Sequence, residues 1–256
     1  MEIKAVACDV DSTLTDDLGM VNLYAVETIR YLEALGLPVI VVTSRDYDTA
    51  GSLSTLMGAC GVVVAEDGTV LGDYRSGQPP VIVGDRAVIR QGLDVLHGAL
   101  GNQVQAWIWP SRICSAVLQL GEGIADQNPF ADRRHPCVDR GNAILAEHGV
   151  PARLVDFGIV CVLNDISVNK GTGLQEAAKM LGIQSENVVA IGDNFNDLDM
   201  FAVAGYGIAV GNAPQAVKDQ VDYACTACFG EGFCEGVKHA LARFCSKRDL
   251  LWTDPT

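Results

Sequence analysis

Short apolar runs alternate with stretches of helical periodicity along most of this chain. Ile3 to Cys8 is a mainly apolar run that stops at Asp9, the pattern of a buried parallel strand. From Asn22 to Gly36 apolar residues recur at helical spacing (Leu23, Val26, Ile29, Leu32, Leu35), with Asn22 suited to the N-cap and Gly36 to the C-terminal end. Leu37 to Val42 predicts a second buried strand, Asp46 to Gly58 a second helix, and Gly61 to Ala65 a third strand. Alternation of this kind predicts an α/β fold with a doubly wound, mostly parallel sheet.

The rhythm breaks after Gly68. Beyond Pro79-Pro80 the pattern reads helix Arg86 to Leu100, paired strands Val104 to Trp109 and Ile113 to Leu120, helix Asp139 to Gly149, then paired strands Ala152 to Asp156 and Ile159 to Leu163. That αββαββ order implies a small α+β module with an antiparallel sheet. Past Asn169 the first rhythm returns: helix Thr172 to Leu181, strand Val188 to Ile191, helix Asp197 to Ala204, strand Gly207 to Val210, helix Pro214 to Gln220, and a last helix from Gly232 to Cys245. The expected organisation is a core of residues 1–80 and 166–256, interrupted by an insert of residues 81–165.

Composition narrows the function. The chain has 256 residues, 49% hydrophobic and 20% charged, a globular balance able to bury a core. Eighteen Lys plus Arg against 32 Asp plus Glu give a net charge of −14, which argues against a nucleic-acid or anionic-membrane partner. An anionic ligand must therefore be met by local cations. No apolar run is long enough to span a membrane, no signal-peptide pattern precedes the first strand, and nine scattered cysteines suit free thiols in a reducing cytoplasm. Cys225, Cys228, Cys234 and Cys245 have a spacing that a zinc or redox site could use, but Cys245 falls near the end of a helix, and buried thiols are the plainer reading.

Four segments at predicted strand ends carry candidate chemistry, and each also has a plain reading. Asp9-Val10-Asp11-Ser12-Thr13 sets two carboxylates two residues apart, which suits a shared divalent cation or one raised pKa, or else a solvated acidic turn. Thr43-Ser44-Arg45 offers hydroxyls and backbone N–H groups to an anion, or else caps a helix. Lys170 stands where a helix starts and the dipole disfavours a cation, so a bound anion or a solvated surface position must account for it. Gly192-Asp193-Asn194-Phe195-Asn196-Asp197 provides only hard oxygen donors, which suits Mg²⁺ rather than Zn²⁺, or else forms an Asx-rich turn. In open α/β sheets, ligands bind outside the carboxyl ends of the strands, so the four should converge.

In this order, the four segments make the sequence resemble a haloacid dehalogenase-like phosphatase. The insert is similar to the Cof-type caps, in particular those of archaeal-type phosphoglycolate phosphatases and their sucrose-phosphatase-like relatives. The resemblance implies that Asp9 is the nucleophile and Asp11 the general acid and base. It implies Mg²⁺ held by Asp9, Asp11 (through its backbone carbonyl), Asp193 and Asp197, the last directly or through water. Thr43, Ser44, Lys170 and Asn196 would bind the phosphoryl group. Ser12 and Ser44 stand where such proteins usually carry glycine. Arg112 is the insert's candidate for contacting the leaving group, ahead of Arg153 and Asn164. The implied reaction is hydrolysis of a small-molecule phosphate ester by a cytoplasmic monomer or homodimer. Phosphoglycolate is the first choice of substrate, with a sugar phosphate (sucrose 6-phosphate or mannosyl-3-phosphoglycerate) second and phosphomutase or phosphotransferase chemistry behind both. A phospho-receiver domain would combine similar residues at about half this length, without the insert.

Overall fold

The computed structural model describes residues 1–107, 111–120, 136–156 and 160–245. It divides into two compact units, Met1–Pro80 with Asn169–Thr256, and Val81–Val168. In chain order the first unit opens with β1 (Ala5–Cys8), α1 (Leu23–Ala34), β2 (Val39–Val42), α2 (Tyr47–Met57), β3 (Val62–Ala65) and β4 (Val70–Asp73). The second holds β5 (Val81–Ile82), α3 (Arg86–Leu100), β6 (Val104–Trp107), β7 (Ala116–Leu120), α4 (Pro136–Glu147), β8 (Ala152–Asp156) and β9 (Cys161–Asp165). The first then resumes with α5 (Lys170–Met180), β10 (Val188–Gly192), α6 (Leu198–Val203), β11 (Tyr206–Ala209), α7 (Gln215–Lys218), β12 (Tyr223–Ala224) and α8 (Phe229–Phe244).

The first unit contributes seven strands to one sheet, in the order β12-β11-β10-β1-β2-β3-β4. All pairs are parallel except β3 with β4. The chain winds outward from β1 through β2 and β3 on one side and from β10 through β11 on the other. β1 and β10 therefore flank the point where the winding reverses, the place where such sheets bind ligands. Register aligns the strand ends there: Cys8 pairs with both Ile191 and Val41, and Val42 pairs with Val64. β1, β2, β3, β10 and β11 are buried along their whole length, and Ala5, Ala7, Ile40, Val42, Val64, Ala190, Leu174 and Met200 form one core. This is why these strands read as continuous apolar runs rather than as alternation.

Helix ends follow local chemistry. Asn22 Oδ1 accepts from the N–H groups of Tyr24 (2.9 Å) and Ala25 (3.2 Å) to start α1. Asp46 caps α2, and Gly58 closes it at a left-handed φ of 85°. Three strands, β4, β5 and β12, escaped the sequence pattern. β4 lies in the stretch after Gly68, where the apolar rhythm lapses, and runs antiparallel to β3 from Ala65↔Val70 to Val62↔Asp73.

The second unit is a four-stranded antiparallel sheet, β6-β7-β9-β8, with α3 and α4 packed on it through Leu96, Leu118, Leu145, Leu154 and Leu163. Asn142 on α4 grips β8 from both sides of one residue: its Oδ1 accepts from Leu154 N (2.7 Å) and its Nδ2 donates to Leu154 O (3.1 Å). Trp109 and Ile159, at the ends of two expected strands, lie outside the described residues.

Candidate active site

The ends of β10, β1, β2 and β3 stand side by side, and each delivers part of one cluster. Asp9 N donates to Ile191 O (3.0 Å) and Thr43 N to Val64 O (2.8 Å), so both residues continue the ladder just past their strands. Lys170, the first residue of α5, points its side chain back among them. Its Nζ lies 2.6 Å from Asp9 Oδ1 and 2.6 Å from Asp197 Oδ1, and all three side chains are almost completely buried. The cation disfavoured at a helix start is thus held by two fixed carboxylates. A capping box between Asn169 and Thr172 sets that helix start in place.

Asp197 also organises its own loop. Its Oδ2 accepts from the N–H groups of Asp193 and Asn194, both at 2.9 Å. Thr13 Oγ1 donates to Asp193 Oδ1 at 2.8 Å, which ties the first acidic segment to the last. Asp9, Asp193 and Asp197 bring carboxylate oxygens within 4.8 Å of one another, the one such convergence of metal-ligating side chains among the described residues. Three buried anions share a single buried cation. Burial, reinforced by Asp197, pushes the Asp193 carboxyl up to about 7, against the opposing pull of the Thr13 hydroxyl. Burial likewise lifts Asp9 well above the carboxylate range, although Lys170 pulls the other way. Burial alone would discharge Lys170, but Asp197 and Asp9 outweigh it and raise its pKa instead. An all-oxygen set with surplus negative charge fits a hard divalent cation such as Mg²⁺.

Asp11 sits apart from this cluster. It is half-exposed and takes a two-pronged grip from Arg45, with Nε at 2.9 Å from Oδ2 and Nη2 at 2.6 Å from Oδ1. Ser12 beside it has a φ of +61°, the left-handed region that glycine occupies without cost. Thr43 is fully buried, and its Oγ1 accepts from Arg45 N at 3.2 Å. Ser44 Oγ donates to Asp67 Oδ1 at 2.6 Å, and Asn196 Nδ2 reaches the same oxygen at 3.2 Å and Ser44 Oγ at 3.3 Å.

The core candidates Asp9, Thr43, Ser44, Lys170, Asp193, Asn196 and Asp197 therefore meet at one end of one sheet, with Asp11 on its rim. Arg112 belongs to the second unit, where its Nη1 donates to Ser115 Oγ at 2.9 Å. Arg153 and Asn164 are register partners on β8 and β9. Two residues of the site went unread in the sequence: Thr13 lay inside a motif read for its carboxylates, and Arg45 was taken only as part of an anion nest. Asp67 belongs to Glu66-Asp67-Gly68, a segment near the third strand that the sequence offers as a border of the site, with a turn as its default reading. The four C-terminal cysteines form no metal-ligating group, and burial pushes Cys225 up to about 12, which keeps it a thiol.

Three parallel strand ends carrying a buried carboxylate, hydroxyls and an acidic loop, with a lysine reaching in from a helix, define a class. The chain matches the haloacid dehalogenase-like hydrolase family over residues 6–81 and 155–232, and it belongs to that family. It is 33% identical over 239 residues to a phosphoglycolate phosphatase of Methanoculleus marisnigri, covering 92% of this chain and 96% of the relative. It is 34% identical to a phosphoglycolate phosphatase of Methanothermobacter thermautotrophicus, covering 92% and 98%. In fold it is similar to protein 0175 of Thermoplasma acidophilum (TM-score 0.78, 20% identity, 93% of this chain and 98% of that one). It is also similar to the sucrose-phosphatase of Synechocystis solved with sucrose and phosphate (TM-score 0.67, 19% identity, 95% and 98%).

Proposed function

We propose that this hydrolase is a Mg²⁺-dependent phosphatase that cleaves 2-phosphoglycolate through a phosphorylated Asp9. The observation that carries the reading is the buried contact of Lys170 with Asp9 and Asp197, set beside Asp193 at the ends of β1 and β10. The substrate rests on the two archaeal relatives, which are matched over nearly their whole length.

Lys170 occupies Asp9 Oδ1 and fixes the carboxylate, which leaves Oδ2 to attack phosphorus. A bond forms from Asp9 to phosphorus while the bond to the glycolate oxygen breaks, and Asp11 donates a proton to that oxygen. Asp11 then takes a proton from the water that attacks the phosphorus of phosphorylated Asp9, which releases inorganic phosphate, frees the Asp9 carboxylate and returns Asp11 to its protonated form. Arg45 holds both oxygens of Asp11, so Asp11 must leave that grip to present one of them to the glycolate oxygen. Thr43, the Ser44 N–H, Lys170 and Asn196 bind the phosphoryl oxygens, where negative charge builds in the transition state. Mg²⁺ would be held by Asp9, the Asp11 carbonyl, Asp193 and Asp197, and supplies neutralisation of the carboxylates and of the phosphoryl charge. Local cations thus receive an anion that the net charge of −14 repels.

Residues 81–168 would act as the unit that excludes water and reads the leaving group. A reducing cytoplasm suits the free thiols of Cys8, Cys60, Cys225, Cys228 and Cys234. The test is phosphate release from 2-phosphoglycolate with Mg²⁺ or with EDTA. Turnover in Mg²⁺ that EDTA abolishes supports the proposal, and metal-independent turnover sinks it.

A further inference from the structure

The hydroxyl of Ser44 is already committed. It donates to Asp67 Oδ1 at 2.6 Å, and Asn196 Nδ2 donates to the same oxygen at 3.2 Å. One buried carboxylate oxygen therefore holds two of the residues placed around the phosphoryl group. Asp67 is only 4% exposed, and its backbone is fixed as closely as its side chain. Asp67 N donates to Thr43 O (3.2 Å) and Glu66 N to Arg45 O (2.9 Å), which fastens this loop to the hydroxyl segment. On its other flank Gly68 lies against the start of α5: a Cβ there would fall 2.1 Å from Asn169 O. The loop is thus wedged between the segment carrying Thr43 and Ser44 and the helix start carrying Lys170.

We infer that Asp67 is a positioning residue of this site: it orients Ser44 and Asn196 so that the Ser44 backbone and the Asn196 amide face the transferred phosphoryl group. The consequence is chemical as well as geometric. With its proton given to Asp67, the Ser44 hydroxyl has no donor left, so residue 44 serves the phosphoryl oxygens through its backbone N–H. Asn196 Nδ2 reaches both Asp67 Oδ1 (3.2 Å) and Ser44 Oγ (3.3 Å), acceptors only 2.6 Å apart, so one amide hydrogen shared between them leaves the other for the phosphoryl group. Donors locked in this way need no reorganisation as charge develops, which is where their value in catalysis lies.

The inference rests on the phosphatase reading and can fail separately from it. Wild type, Asp67→Asn and Asp67→Ala are assayed with 2-phosphoglycolate and Mg²⁺, and each is titrated with inorganic phosphate and with orthovanadate, a mimic of the transferring group. Asparagine keeps an acceptor oxygen in place, so Asp67→Asn should stay within about threefold of wild type. Asp67→Ala should lose about 10–100-fold in kcat/KM and weaken orthovanadate by a similar factor, with a smaller effect on phosphate. Adding Ser44→Ala to Asp67→Ala should cost little more, since the two act as a unit. An Asp67→Ala enzyme with unchanged kcat/KM, or one whose phosphate and orthovanadate affinities fall equally, overturns the inference. If Asp67→Ala does not fold, Asp67→Asn decides: a loss above tenfold means that charge rather than the acceptor matters, and the positioning role is wrong. A wild type inert towards phosphate esters points instead to failure of the phosphatase reading.

Discussion

At the scale of the residue, Lys170 holds two carboxylates apart in a site nearly closed to water, with Nζ 2.6 Å from each. Lys170→Met should cost about 3–5 kcal/mol, the usual penalty for leaving buried charge unpaired. Denaturant unfolding should show a larger loss at pH 8 than at pH 5, because Asp9 and Asp193 take up protons as pH falls. Asp193 provides a second test. Its pKa lies near 3.8 in an unfolded chain and about 7 in the folded one. Between those values the unfolded chain has released a proton that the folded one still holds, so rising pH favours unfolding. In EDTA, wild type should therefore lose stability relative to Asp193→Asn as pH rises from about 4 to 7. Mg²⁺ at one hundred times its dissociation constant should restore about 2.7 kcal/mol to wild type. A stability difference that is flat with pH contradicts the assignment.

The residues that were legible in sequence are those that end an apolar run, as Asp9, Thr43 and Asp193 do. Their role follows from strand position alone. Asp67 was legible only as a segment bordering the site, and its contacts were not, because Ser44 and Asn196 lie 23 and 129 positions away and nothing local announces them. The grip of Arg45 on Asp11, across 34 positions, was hidden for the same reason.

At the scale of the element, the missed strand β4 and the unread contacts of Asp67 have one cause. Glu66, Asp67 and Gly68 take positive φ values of 48°, 56° and 105°, which turn the chain back on β3 and place the Asp67 carboxylate beside β2. Left-handed non-glycine residues cost about 1–2 kcal/mol each, so sequence preference gives no hint of the turn, and the surrounding contacts must enforce it. The helices were easier to read because caps and periodicity are local. Tight packing fixes α5 on α6: a Cβ at Gly171 would lie 2.2 Å from Asp199 O. Gly171→Ala should therefore lose about 1–3 kcal/mol and, by displacing Lys170, about tenfold or more in kcat. Gly98→Ala in α3 is the control, since a Cβ there meets nothing within 4 Å. It should be neutral or stabilise by up to about 1 kcal/mol, as removing a helical glycine generally does. Thermal melts and initial rates on the two variants check both expectations, and equal effects would contradict them.

At the scale of the whole molecule, a strongly acidic chain concentrates its few useful cations and its N–H donors at one end of one sheet. The parallel topology achieves this: β10, β1, β2 and β3 are neighbours in space although the second unit separates β10 from the others in sequence. That interruption was legible from the change of period, because an antiparallel αββαββ pattern cannot continue a doubly wound sheet. The central claim is that Asp9 becomes phosphorylated. The most direct measurement is the mass of the protein trapped during turnover of 2-phosphoglycolate with Mg²⁺, for wild type and for Asp9→Asn. The account requires one added phosphoryl group, mapped to Asp9, in wild type, with neither that adduct nor phosphate release in Asp9→Asn. Phosphate release that persists in Asp9→Asn would contradict it.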